Sequence, residues 1–239
     1  MDYVKRLEKL MTRLRAPEGC PWDRRQTHKS LKPYLLEETH EVLDAINGGN
    51  PADLREELGD LLLQVVFHSQ MAKEKGSFNF QAVAKTIGDK LIRRHPHVFL
   101  RARDARAKGV RPEGTSRKIK DINQKWEELK RREKPERKSA LDGLPHSLPA
   151  LLRAQRMQEK ASKTGKPESI GKSRLENDLK AFKKSASLKN RGRQEKALGE
   201  ILFSLTRWAQ SRGIHAEMAL QTAASRFEKE FRKSERQAT

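Results

Sequence analysis

Apolar residues recur along this chain at intervals of three and four, and the strict alternation of a half-buried strand is missing. Val4, Leu7, Leu10, Met11 and Leu14 share one side of a helix expected near 2–15. The segment APEGCPWD then reads as a turn, followed by a second helix over about 29–47 that stops at NGGNP. Asn50 is a good N-cap with Pro51 at the first helical position, which opens a third helix running to about 75. KGSFN ends it, and Asn79 caps a fourth helix to about 94. Four helices with short connections predict an all-α bundle over 1–100.

Residues 101–116 lack apolar periodicity and are rich in charge, Gly and Pro, so a flexible loop is expected there. Ile119, Ile122, Trp126 and Leu129 predict one helix over 117–134, and 101–147 reads as a basic linker. SALDGLPHSLPALLRAQ resembles a hinge feeding a helix from about 148, the start of a second unit over 148–239. That second unit echoes the first. GDLLLQVVFHSQMAKEKG from Gly59 aligns with GEILFSLTRWAQSRG from Gly199, and LEETHEVL from Leu36 with LENDLKAF from Leu175, at offsets of 140 and 139 residues.

Composition sharpens this picture. The chain has 239 residues, 35% of them hydrophobic and only 5% aromatic, enough for one large domain or two small ones. No apolar run reaches the ~20 residues of a membrane span. The amino terminus has no apolar h-region, so a cytoplasmic location and no membrane partner are expected. The single cysteine, Cys20, excludes an internal disulfide and a multi-cysteine zinc site. The formal charge of +20 is unevenly spread: +2 over 1–100, +7 over 101–150 and +11 over 151–239. A basic surface attracts polyanions, so nucleic acid is a possible partner of the carboxyl-terminal part; a solvated basic surface accounts for the charge equally well.

The strongest chemical signal lies in the second and third helices. LEETHEVL sets Glu38 and Glu41 three apart, and REELGDLLLQ sets Glu57 and Asp60 three apart, so each pair lies on one helical face. Glu38 falls between Leu35 and Val42, and Glu57 between Leu54 and Leu61, so both interrupt an apolar stripe. If these helices pack together, four carboxylates meet. Protons, basic side chains or divalent cations must then neutralise them. An all-oxygen set suits a hard cation, with Mg²⁺ the natural candidate and Mn²⁺ next. Such a cluster suggests phosphoryl chemistry.

These residues resemble the MazG family of nucleoside triphosphate pyrophosphohydrolases. The resemblance rests on GCPWDRRQTHKSLKPYLLEETHEVLDAI, DLREELGDLLLQVVFHSQMA and KLIRRHPHVF. It extends through KWEELKRREK and SALDGLPHSLPALLRAQRMQ. It implies tandem all-α NTP pyrophosphatase bundles, a homodimer, and Mg²⁺-dependent cleavage of a nucleoside triphosphate to the monophosphate and pyrophosphate. The role implied is nucleotide-pool housecleaning. The family's ExxE and ExxD metal motif falls on Glu38, Glu41, Glu57 and Asp60, with Glu37 and Glu56 orienting the shell or holding a metal-bound water. Aligned on the motif, those four correspond to Asn177, Lys180, Ala197 and Glu200, so the second unit cannot assemble the same cluster.

Within this reading Glu38 or Glu41 accepts the proton of the attacking water. Lys90, Arg93 and Arg94 are spaced either for phosphate contact or as a stabilising basic helix end. Trp22 either stacks on the nucleobase or anchors its turn as a buried residue. His40 and His68 read as packing or surface residues, and His95 and His97 lack the further ligand a zinc site needs. The competing reading is a basic nucleic-acid-binding or regulatory scaffold that has lost its catalysis.

Overall fold

The computed structural model describes residues 2–99, 129, 132–133, 136, 138–164, 172–186 and 190–238. All regular structure among them is helical. The first compact unit spans Met1–Trp126 and the second Glu127–Thr239, so the division falls inside the stretch that reads as a basic linker. The expected loop over 101–116 lies outside the described residues, as does most of the helix expected over 117–134.

In the first unit the helices are α1 (Tyr3–Leu14), α2 (Pro21–Arg25), α3 (Lys32–Gly48), α4 (Pro51–Glu74), α5 (Phe80–Arg94) and α6 (Pro96–Phe99). The caps are those the sequence predicts. Asn50 accepts a hydrogen bond from the Ala52 N–H and Asn79 one from the Ala82 N–H. Gly49, at φ 73°, closes α3 in the left-handed region that glycine adopts without strain. A two-residue connection therefore folds α4 back against α3 as a hairpin. The expected turn over 16–23 contains more order than its composition suggests, because Pro21 sits at the start of a short helix, α2. The turn doubles back so tightly that a Cβ on Gly19 would stand 2.2 Å from the Leu14 carbonyl oxygen.

The core lies at one end of this bundle. Met11, Leu31, Val66, Phe67 and Met71 form its buried cluster, with Leu7, Leu63 and Phe80 packed against it. They come from α1, the approach to α3, the second half of α4 and the first residue of α5. One polar side chain ties the turn to this core. The Arg15 guanidinium is 8% exposed and pairs both oxygens of Glu74, at 2.8 and 2.7 Å. It also donates to the Asp23 carbonyl and lies over the Phe67 ring. Arg15, rather than Trp22, anchors the turn: Trp22 is 48% exposed and meets Tyr34 edge to face.

The second unit contains α7 (Ala150–Ser162), α8 (Lys172–Ala186), α9 (Arg191–Ser211) and α10 (Ala216–Ala238). α8 and α9 form a hairpin, and α7 packs on α9 and α10. Two buried amides of its interior, Gln155 and Gln158, use both ends. Gln155 donates to the Ile214 carbonyl and accepts from the Ala216 N–H; Gln158 donates to the Phe203 carbonyl and accepts from Thr206.

Replacing Arg15 strands the Glu74 carboxylate and a backbone carbonyl together. Arg15→Met is expected to lower stability by about 2–3 kcal/mol, the low side for a buried ion pair because Glu74 stays partly in water. Urea unfolding monitored by circular dichroism reads this directly; an unchanged midpoint would deny the anchor.

Candidate metal centre

The α3–α4 hairpin brings the two acidic motifs face to face. Ligand oxygens of Glu38, Glu41 and Glu57 all lie within 4.8 Å of one another. Asp60, one turn beyond Glu57, is close enough to act on both Glu38 and Glu57. Glu38, Glu57 and Asp60 are half-buried, whereas Glu41, Glu37 and Glu56 are exposed. The apolar stripe around the acids is itself only partly covered: Leu35 remains 37% exposed, and Leu36, Leu58, Leu62 and Val65 are exposed as well. The acids therefore lie on the connection side of the core in this hairpin, where the apolar cover is thin.

The electrostatics of the cluster are one-sided. Burial raises the Glu38 carboxyl above its ordinary range, and the charges of Asp60 and Glu41 raise it further. The Gln64 amide, which donates to Glu38 Oε1 at 3.4 Å, opposes them. Glu57 is also raised, first by desolvation and then by Glu41, Asp60, Glu56 and Asp53. The charges that act most strongly on Glu38 and Glu57 are all acidic. Lys90, Arg93 and Arg94 are not among them; they lie in the closing turns of α5, with Lys90 and Arg94 half-buried. The donor set fits a small hard cation. Octahedral coordination at ~2.1 Å places neighbouring oxygens about 3 Å and opposite ones about 4 Å apart, a short side-chain movement from the spacing present.

Gln64, Tyr34 and His28 are residues the sequence did not single out. Gln64 is buried on α4, seven residues after Glu57 and so on the same helical face. Tyr34, four residues before Glu38, is half-exposed in contact with Trp22. His28 and His68 stack with their Nδ1 atoms 2.8 Å apart. Burial and the proximity of His28 lower the basicity of His68, which packs against that ring. His40 is exposed, and His95 contacts the Leu91 carbonyl.

The second unit handles acids at the matching place differently. Ser204 donates to Asp178, a contact spanning 26 residues, as Gln64 to Glu38 does. That spacing sets Asp178 at the place of Glu38, one residue on from the motif alignment with Asn177. The guanidinium of Arg174 lies 3.7 Å from Asp178 and 3.2 Å from Glu200, the counterpart of Asp60. A cation from the chain itself stands between those two acids.

An all-α bundle whose central hairpin gathers ExxE and ExxD carboxylates, with no base among their strongest influences, defines a helical scaffold built around an acidic cluster. The comparisons give that scaffold its family. A model described as the MazG nucleotide pyrophosphohydrolase domain matches residues 26–99. The nucleoside triphosphate pyrophosphohydrolase of Escherichia coli is 41% identical, over 99% of this chain and 88% of that protein. The nucleoside triphosphate pyrophosphohydrolase/pyrophosphatase MazG of Thermotoga maritima is 42% identical, over 96% of this chain and 84% of its own length. A Mycobacterium tuberculosis nucleoside triphosphate pyrophosphohydrolase is 40% identical over 70% of this chain, which covers 46% of that protein. The chain belongs to the MazG family.

A carboxyl whose pKa rises on folding takes up a proton when the chain folds. Stability contributed this way is present at low pH and is lost as pH rises from the ordinary carboxylate value through the raised one. Glu38→Gln and Glu57→Gln are each expected to raise the melting temperature of the metal-free protein by a few degrees at neutral pH. Both should also flatten its rise as the pH falls toward the ordinary carboxylate range. Calorimetry in the presence of a chelator measures both effects, and lower melting temperatures in both variants would refute the unfavourable charge cluster.

Proposed function

We propose that this chain is a Mg²⁺-dependent nucleoside triphosphate pyrophosphohydrolase that clears the cytoplasmic nucleotide pool. The observation that carries the reading is the convergence of Glu38, Glu41 and Glu57 within 4.8 Å, with Asp60 acting on two of them and no basic side chain among the strongest influences. Names of relatives that align over nearly the whole chain support the same reaction.

In this reading Glu38, Glu41, Glu57 and Asp60 hold the cation, Mg²⁺ or Mn²⁺. When bound, it supplies Lewis-acid charge that binds triphosphate oxygens and favours ionisation of water. The α–β phosphoanhydride bond breaks as water oxygen bonds to phosphorus, leaving a nucleoside monophosphate and pyrophosphate. A carboxylate takes the water's proton. Glu38 suits this role, because burial and its acidic neighbours raise its carboxyl above the ordinary carboxylate range. Glu37 and Glu56 lie outward of the four and hold the outer shell. Lys90, Arg93 and Arg94 face the triphosphate, and half-exposed Trp22 offers an aromatic face to the base.

The same hairpin provides the ground for a homodimer. Leu36, Leu58, Leu62 and Val65 are exposed on α3 and α4 beside the acids, and a second copy would cover them. Leu62→Glu should then shift the protein to monomer in sedimentation equilibrium; an unchanged mass would exclude this face.

The deciding assay is pyrophosphate release from a panel of nucleoside triphosphates with and without Mg²⁺, beside nucleic-acid binding across a salt series. Mg²⁺-dependent turnover is expected, with Glu38→Gln and Glu57→Gln losing about 10²-fold or more in kcat while remaining folded. Absence of turnover together with steeply salt-dependent nucleic-acid binding would favour the scaffold reading drawn from the +18 charge of residues 101–239.

A further inference from the structure

Gln64 is 6% exposed on the face of α4 that carries Glu57 and Asp60, and it has used only half of its hydrogen-bonding capacity. Nε2 donates to Glu38 Oε1 at 3.4 Å, whereas Oε1 is fully buried without a partner. The orientation is forced. An amide beside a carboxylate can present only its N–H groups, since two oxygens would repel, so Oε1 is turned away from that carboxylate. Buried amides ordinarily satisfy both ends. Gln155 and Gln158 of the second unit do so with backbone groups and Thr206, whereas Gln210 Oε1 there, like that of Gln64, is buried without a partner. A leucine would fill the Gln64 position at similar volume without a stranded acceptor.

The second hairpin shows what a holding group alone requires. There Ser204 grips Asp178, and Arg174 supplies the positive charge. A short hydroxyl suffices where the chain carries its own cation. The longer amide, with a spare acceptor, stands where the strongest influences include no such cation.

We propose that Gln64 is a positioning residue for Glu38: its Nε2 fixes one carboxylate oxygen so that the other is left for the cation, and the stranded Oε1 is the cost of keeping that N–H in place. The inference rests on the metal-dependent reading of the site.

The test uses the full chain with Gln64→Leu, and Gln64→Met as a second isosteric variant should the first fold poorly. Mn²⁺ binding is titrated by electron paramagnetic resonance, the metal-free melting temperature is measured, and kcat and KM are determined at saturating Mn²⁺. Both variants are expected to bind Mn²⁺ roughly tenfold more weakly. They should melt at or above the wild-type temperature without metal, and lose kcat with KM for the triphosphate within twofold. Wild-type affinity and kcat in both variants would overturn the role of Gln64 alone. A wild-type chain that binds no Mn²⁺ would overturn the metal reading and this inference with it. A fall in metal-free melting temperature matched by equal losses in all readouts would reduce Gln64 to a packing residue and overturn the proposal.

Discussion

Mutual repulsion among the carboxylates of the α3–α4 hairpin is the constraint around which this unit is arranged. Like charges this close disfavour the folded state unless something of opposite sign joins them, and their strongest neighbours are further acids. The fold accommodates the repulsion by distance. α4 is 24 residues long, about 36 Å, so its two halves can serve different ends. The second half buries Val66, Phe67 and Met71 against α1 and Leu31, while the first half carries Glu57 and Asp60 into a partly open cleft. Stability is generated at one end and expended at the other, which is the usual division when a strained charge constellation must stay in place.

That division makes the Arg15 contacts more than a local brace. The turn after α1 must return the chain to the start of α3, because Leu31 belongs to the core and Glu38 lies two helical turns beyond it. Arg15 holds the Asp23 carbonyl and Glu74 together over Phe67, fixing α2 against the far end of α4. Trp22 and Tyr34 are thereby kept at the surface, one turn from the acids, instead of being drawn inward as their apolar area would favour.

Much of this was legible in residue order, and what was not shares one cause. Helix starts at Pro51 and Phe80 follow from caps that act within three residues, so Asn50 and Asn79 announce them without tertiary information. The acidic quartet was legible because a three-residue spacing fixes a helical face. Arg15 bonds a partner 59 residues away, and Gln64 one 26 away, so neither pattern exists until the helices pack. Trp22 was ambiguous for the same reason, since exposure of a turn aromatic depends on which neighbour claims the interior. The match between the two hairpins shows a subtler limit. Amphipathic pattern alone tolerates a one-residue slip, and motif similarity favoured Asn177. The hydrogen bond from Ser204 selects Asp178, because only that register puts an acid opposite the holding group.

The two hairpins thus represent two answers to one electrostatic problem. In the second, Arg174 spans Asp178 and Glu200, and Ala181 and Ala197 stand where the first unit has Glu41 and Glu57 in the hydrogen-bonded register. A guanidinium joined to the backbone is always present and cannot leave, so it neutralises charge and offers no open position to a ligand. Neutralisation by an exchangeable ion demands more acids to hold it and leaves the site costly when empty. Such an ion retains coordination positions that the protein does not fill. Losing two carboxylates and gaining an arginine therefore belong together, since the guanidinium would be overwhelmed by four acids and is matched by two. In the proposed reading the first unit carries the chemistry and the second carries structure, and the difference reduces to whether the positive charge is tethered.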